Sequence, residues 1–168
     1  MSSTPALTVR GSSLLVAVSQ DHVSEEKDTS MPQGHRPLCL AIIICNEVIE
    51  DKRSNNKTLV SLFSRIGTKS IPCVHPRMFV MASLTDGHGT VPLVFRIVHL
   101  ATQEHVVELR AEASFASPMD VSDVVLEFRN LPLKKEGSYA VEVLADGELL
   151  GMRRLYVELV KEDEEEDG

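Results

Sequence analysis

From Leu38 onward the chain is built of short runs rich in Val, Ile and Leu, broken by turn residues at intervals of about 8–15 residues. Runs this short suit strands better than helices. Alternation within several of them sets one face of a strand against a core and the other toward water. Leu93, Phe95 and Ile97 share one face while Val94 and Arg96 share the other. Val124, Leu126 and Phe128 alternate with Asp123, Val125, Glu127 and Arg129. The run Leu38 to Cys45 is apolar without alternation, as in a strand covered on both sides. Asp146-Gly147 supplies the positive φ angles of a tight hairpin, with Tyr139, Val141 and Val143 alternating before it and Leu155, Val157 and Leu159 after it. Met152-Arg153-Arg154 breaks that phase, which predicts a bulge or a twist at the strand's entry. Asp86-Gly87-His88-Gly89 reads as a hairpin connection.

These signals predict an all-β, predominantly antiparallel sandwich of about seven to nine strands over residues 38–160. A chain of 168 residues has room for one such domain and two tails. Residues 1–37 lack a sustained period and are expected to be a flexible leader, with an edge strand around Leu14, Val16 and Val18 as the alternative. Met31 offers a second translation start just before the first strong strand. Residues 161–168 are expected to be a disordered acidic tail. One segment stays open between two readings. Thr58 to Ile66 reads as a strand, yet Leu59, Leu62, Phe63 and Ile66 also fall at helical spacing.

The net charge of −8 excludes little until it is divided along the chain. The tail holds six acids and one lysine, and residues 38–160 hold thirteen Lys/Arg against fifteen Asp/Glu. With Trp absent and aromatics at 4%, the domain has neither the basic patch nor the stacking platforms of a nucleic-acid binder. No apolar run approaches the roughly 18 residues of a membrane helix. Residues 14–18 are too short for the apolar part of a secretory signal. Cys39, Cys45 and Cys73 form no disulfide framework, so a cytoplasmic location is expected.

Residues 38–159 resemble a bacterial family of uncharacterised domains. The resemblance rests on Cys45-Asn46-Glu47, Lys57-Thr58-Leu59, Leu62-Phe63, Pro72 and Pro76 before Phe79, and Gly137-Ser138-Tyr139. It implies an immunoglobulin-like β-sandwich, with a strand over Lys57–Ile66, and no activity. Asn46 stands where that family usually has an acid, which argues against a required carboxylate there. Tyr139, following Leu131-Pro132-Leu133, is also placed to make a tyrosine corner, its hydroxyl bonding back to main chain upstream.

Few residue sets suggest chemistry. Cys73-Val74-His75 pairs a thiol with an imidazole, but Pro72 and Pro76 put it in an irregular crossing loop, and zinc needs about two more ligands. Asn46, Glu47, Glu50 and Asp51 offer oxygen ligands for calcium without a fixed spacing. Lys134-Lys135-Glu136 and Arg153-Arg154 read as solvated strand ends. The chain contains no phosphate loop, nucleophile elbow or paired-histidine metalloprotease motif. No catalytic residue, cofactor or metal ligand is therefore assigned. The expectation is a non-catalytic interaction or structural module that docks a protein partner, through loops at one end of the sandwich. The alternative is an enzyme or a calcium- or zinc-dependent protein whose site assembles from those loops.

Overall fold

The computed structural model describes residues 8–11, 14–17 and 36–161. Most of the expected leader and the acidic tail from residue 162 lie outside them. Within the leader, β1 (Thr8–Gly11) and β2 (Leu14–Ala17) pair antiparallel as a two-stranded sheet of their own, with Val9 opposite Val16. β2 thus contains Leu14 and Val16 without joining either sandwich sheet as an edge strand.

Nine strands build the sandwich. They are β3 (Leu38–Glu50), β4 (Lys57–Leu62), β5 (Arg65–Thr68), β6 (Cys73–Thr85), β7 (Gly89–His99), β8 (Glu104–Phe115), β9 (Ser122–Leu133), β10 (Gly137–Ala145) and β11 (Glu148–Leu159). One sheet has the order β4-β3-β6-β9 and the other β5-β11-β10-β7-β8. All neighbours run antiparallel except β5 and β11, where Ile66 lies beside Val157 in a parallel pair. With β3, β6 and β9 in one sheet, and β7, β10 and β11 in the other flanked by β8, the order is immunoglobulin-like.

The core lies between the two inner faces. Ile42, Ile44, Val80, Leu126 and Phe128 of the four-stranded sheet meet Leu93, Phe95, Val141, Val143 and Leu155 of the other. Alternation placed Leu93, Phe95, Leu126, Phe128, Val141, Val143 and Leu155 correctly because a strand's period of two survives wherever one face is buried.

The ambiguous segment 58–66 is two strands in two different sheets. The Phe63 N–H donates to Ile44 O at 3.1 Å, still in the first sheet, while the Tyr156 N–H donates to Ser64 O at 2.8 Å, already in the second. Ser61 sits at φ 55°, a left-handed kink just before this crossing. The crossing turns the chain so that Ile66 is buried and Leu62 exposed, and this rotation imitates helical spacing.

Three turn expectations resolve differently. Asp146 and Gly147, at φ 50° and 72°, make the tight β10–β11 turn as expected. The bulge in that hairpin falls at Leu150, where Val143 pairs Gly151 and Leu144 pairs Leu149, rather than at Met152–Arg154. From Gly151 onward inward and outward residues alternate again, with Arg153 on the inward side. Asp86–Gly89 is no hairpin, because it carries the chain from β6 in one sheet to β7 in the other. A Cβ built on Gly87 would stand 2.2 Å from the Phe115 ring, so the ring lies directly over this glycine.

Candidate functional site

The outer face of the four-stranded sheet carries the feature least required by the fold. Along β3, Ile42 and Ile44 enter the core, which turns Ala41, Ile43 and Cys45 to the opposite face. The ladders extend that apolar row sideways, with Ile43 opposite Met81, Met81 opposite Val125, Cys45 opposite Phe79 and Leu62, and Glu47 opposite Val60. Cys45 and Val125 are buried in this row outside the inter-sheet core, and Ile43, Phe79 and Met81 are partly exposed. Leu62, Ile49 and Leu40 are 59%, 53% and 52% exposed. The sequence marked β3 as covered on both sides, and among the described residues the second sheet covers only its inner one.

Charged residues border part of this face. A groove of about 660 Å³ is lined by Glu47, Glu50 and Lys52 from β3 and the turn after it, by Arg77 and Phe79 from β6, and by Val125, Glu127 and Arg129 from β9. Glu127 accepts a hydrogen bond from Arg129 Nε at 2.8 Å, and Arg77 Nε lies 3.9 Å from the same carboxylate. The Arg77 guanidinium stands 5.4 Å from the centroid of the Phe79 ring, holding that ring's exposed side against a cation.

The outer face of the five-stranded sheet differs. Across its middle run Glu142, Arg96 and Glu108, with Arg96 Nε donating to Glu142 at 2.5 Å. Leu149, Met152 and Tyr156 are exposed apolar residues of this face, Val98, Ala140 and Leu144 are buried on it outside the inter-sheet core, and Arg65 covers the Tyr156 ring at 5.3 Å. Opposite charges at neighbouring positions satisfy one another across its middle.

The residues singled out from sequence are dispersed. Cys73 and His75 are not in a loop: they begin β6, opposite Leu133 and Leu131. Pro72 precedes the strand. Pro76 falls between the His75–Leu131 and Arg77–Arg129 pairs, beside the left-handed Asn130, so its missing N–H costs no rung. Both side chains are half-buried on one face. His75 tilts against Phe63 at 6.0 Å, its Nε2 is buried without a hydrogen-bond partner, and burial pushes its pKa down. Cys39 lies against Gly151 on the inner side of β3, and burial raises the pKa of both Cys39 and Cys45. All three thiols are free. Among the described residues no three His, Cys, Asp or Glu side chains converge as a metal site.

The remaining polar candidates have structural partners. Asp51 accepts from the Arg53 N–H at 2.9 Å and the Ser54 hydroxyl at 3.0 Å, bonds that cap the β3–β4 turn and lower its pKa. Asn46 and Glu47 are exposed on β3 and form no cage with it. Lys134 and Lys135 approach Glu104 at 3.7 and 3.2 Å, and the Lys135 bond holds that carboxyl below its ordinary pKa. Glu136 accepts from the Leu159 N–H at 2.9 Å. Arg153 Nη1 donates to Ile42 O at 3.3 Å, while Arg154 is exposed opposite Ala140.

Tyr139 makes the expected corner, its hydroxyl donating to Lys135 O at 2.6 Å. Its main support was not visible in sequence. His99 is 5% exposed and meets the Tyr139 ring edge-on at 4.8 Å. His99 Nε2 must donate to Glu136 O at 2.9 Å, so Nδ1 accepts from the Thr102 hydroxyl at 2.9 Å. No local pattern distinguishes this histidine from others, because its partners come from the β7–β8 and β9–β10 connections.

Known proteins add a family and no chemistry. A family model described as a family of unknown function (DUF6941) matches residues 40–158, more than half of the chain. No curated protein matches. The chain is similar to an immunoglobulin-like protein from Pseudomonas aeruginosa, a crystal structure, at 13% identity and a TM-score of 0.36, over 68% of this chain and 91% of that one.

Proposed function

The chain belongs to that family of unknown function, and we propose that its sandwich is a non-catalytic module that docks a protein partner through the outer face of the four-stranded sheet. The observation that carries this reading is the apolar row Ala41, Ile43 and Cys45, with Phe79, Met81, Val125 and Leu62 beside it, on the side of the sheet turned away from the second sheet. The fold does not demand apolar residues there. Polar residues at positions 41, 43 and 81 would keep the strand alternation and the core, and contiguous apolar surface on a sheet marks an interaction site or an aggregation hazard. Charged residues at the rim, such as Glu47 and Arg129, limit indiscriminate association and give a partner orientation. Three free, separated thiols support a reducing compartment.

The test is site-specific photo-crosslinking in the source cells. A photoreactive residue at position 81 is expected to yield protein adducts, while one at Glu108, on the outer face of the other sheet, yields none above background. Equal adducts from both faces, or none from either, would overturn the reading.

A further inference from the structure

We infer that the partner is recognised as an extended strand, which pairs with the free edge of β3 between Asn46 and Glu50. This rests on the docking reading above and names the partner's conformation and the place that holds it.

The four-stranded sheet forks at this end. The β3–β6 ladder stops at Cys45 opposite Phe79, yet β3 runs on to Glu50 and β6 begins six residues earlier, at Cys73. Beyond the fork β3 keeps only β4 as a ladder partner, and β6 keeps only β9. Each branch carries a bend: Ser61 of β4 at φ 55°, and Asn130 of β9 at φ 52° beside Pro76 of β6. Among the described residues no other main-chain bond reaches residues 46–50. An interior strand thus shows the unpaired N–H and C=O groups that sheets otherwise confine to their borders.

The groove of about 660 Å³ lies at this fork. Glu47 and Val48 both line it, although adjacent residues of a strand point to opposite faces, so the groove follows the edge of β3 and not one of its faces. From β6 come Arg77 and Phe79, and from β9 Val125, Glu127 and Arg129, alternate residues of a single face. A segment lying there has main-chain partners along β3 and a floor of side chains beneath it. The free edge from 46 to 50 spans ~17 Å, the length of a five-residue strand. In this mode main-chain pairing supplies affinity, and alternate side chains supply specificity.

The lining selects the occupant. Three acids (Glu47, Glu50 and Glu127) balance three bases (Lys52, Arg77 and Arg129), which gives a nucleic acid no net attraction. Arg77 stands on the Phe79 ring and shares Glu127 with Arg129, so each guanidinium keeps N–H donors for a further acceptor. The segment that fits sets an apolar residue over Phe79 and an acid two positions along, toward the arginines, as the period of a strand allows. The leader's own β1 lies beside β9, two strands away from β3.

A displayed library of random dodecapeptides, selected on the purified full chain, tests this. Selected peptides are expected to bind with a Kd of about 10 µM and to slow hydrogen exchange in residues 46–50, whose amides not bonded to β4 exchange fast in the free chain. N-methylation of alternate peptide amides is expected to abolish binding in one register and spare it in the other, because a strand added to an edge pairs through every second residue. Arg77→Glu and Arg129→Glu are each expected to weaken binding about tenfold, and Arg154→Glu, on the other sheet, to leave it unchanged. The inference is overturned if no peptide is selected, if the selected peptides protect other residues, if both methylation registers act alike, or if both arginine variants bind as the wild type does. Residues 46–50 fully protected in the free chain also overturn it, since a segment of this chain or a second copy then fills the fork. In each of these cases the docking reading stands if position 81 still crosslinks another protein in cells, and falls if it does not.

Discussion

The Tyr139 hydroxyl reaches back four residues and donates to the Lys135 carbonyl at 2.6 Å, closing the β9–β10 connection onto the first inward residue of β10. His99 stands edge-on against the same ring and donates to Glu136 O, so two buried side chains satisfy neighbouring carbonyls of one turn. The corner therefore joins β7, the β9–β10 turn and β10 in one hydrogen-bonded unit. Burial raises the Tyr139 pKa, in keeping with a neutral hydroxyl donor rather than a proton-transfer group.

Tyr139→Phe removes that donor while keeping the ring, and is expected to cost about 1 kcal/mol. Tyr139→Ala also opens a cavity beside His99 and is expected to cost about 3–5 kcal/mol. Urea unfolding measures both. Equal midpoints for wild type and Tyr139→Phe would mean that the corner bond contributes nothing to stability.

Gly87 is needed for a close approach between the β6–β7 connection and the end of β8. A Cβ at this position would meet the Phe115 ring at 2.2 Å, and Phe115 is itself buried. Gly87→Ala is expected to destabilise by about 1–3 kcal/mol, as overpacked cores do. In a Phe115→Leu background the same substitution is expected to cost less, since the obstructing ring is gone. Additive losses in a double-mutant cycle would contradict the contact.

The half-buried His75 imidazole gives the domain a defined acid sensitivity. Its pKa is lowered by burial, so between the unfolded value near ~6.5 and the lower folded value the unfolded chain binds more protons. Stability is therefore lost as pH falls through that window, and this loss is absent above it. His75→Gln is expected to flatten the dependence of the urea midpoint on pH just below about pH 6.5, while leaving the carboxylate-driven losses at lower pH. An unchanged slope in the variant would place the acid sensitivity elsewhere.

Much of the core was legible in the sequence because inward residues of β7, β9 and β10 alternate with polar or smaller ones. The two-sheet crossing at Phe63-Ser64 was not, since a strand that changes sheets carries two phases and the sequence shows their superposition. Asp86–Gly89 failed for a related reason: glycines and an aspartate describe a sharp turn, but not which sheet receives the next strand. Cys73 and His75 were misplaced in a loop because the proline pattern is read locally, whereas β9 supplies the ladder from about 55 residues away. The candidate face was half legible. The missing alternation in Leu38–Cys45 announced apolar residues on both sides of β3, and the three-dimensional arrangement identified which side is turned away from the second sheet.

Ile43 and Ile44 carry the sharpest test of that assignment, since they are adjacent and chemically identical but face opposite ways. Ile44 is fully buried in the inter-sheet core, and Ile44→Ala is expected to cost about 2–5 kcal/mol by leaving a cavity among packed side chains. Ile43 is partly exposed opposite Met81, so Ile43→Thr keeps a β-branched strand residue and is expected to cost less than about 1 kcal/mol. The same Ile43→Thr substitution is expected to weaken association, because it replaces an ethyl group by a hydroxyl in the apolar row that a partner would bury. Chemical unfolding of the purified chain and the yield of adducts from position 81 in cells separate the two effects. A large stability loss at both positions would mean that the outer face of β3 is part of the folding core, and that face would then have no claim as a docking surface.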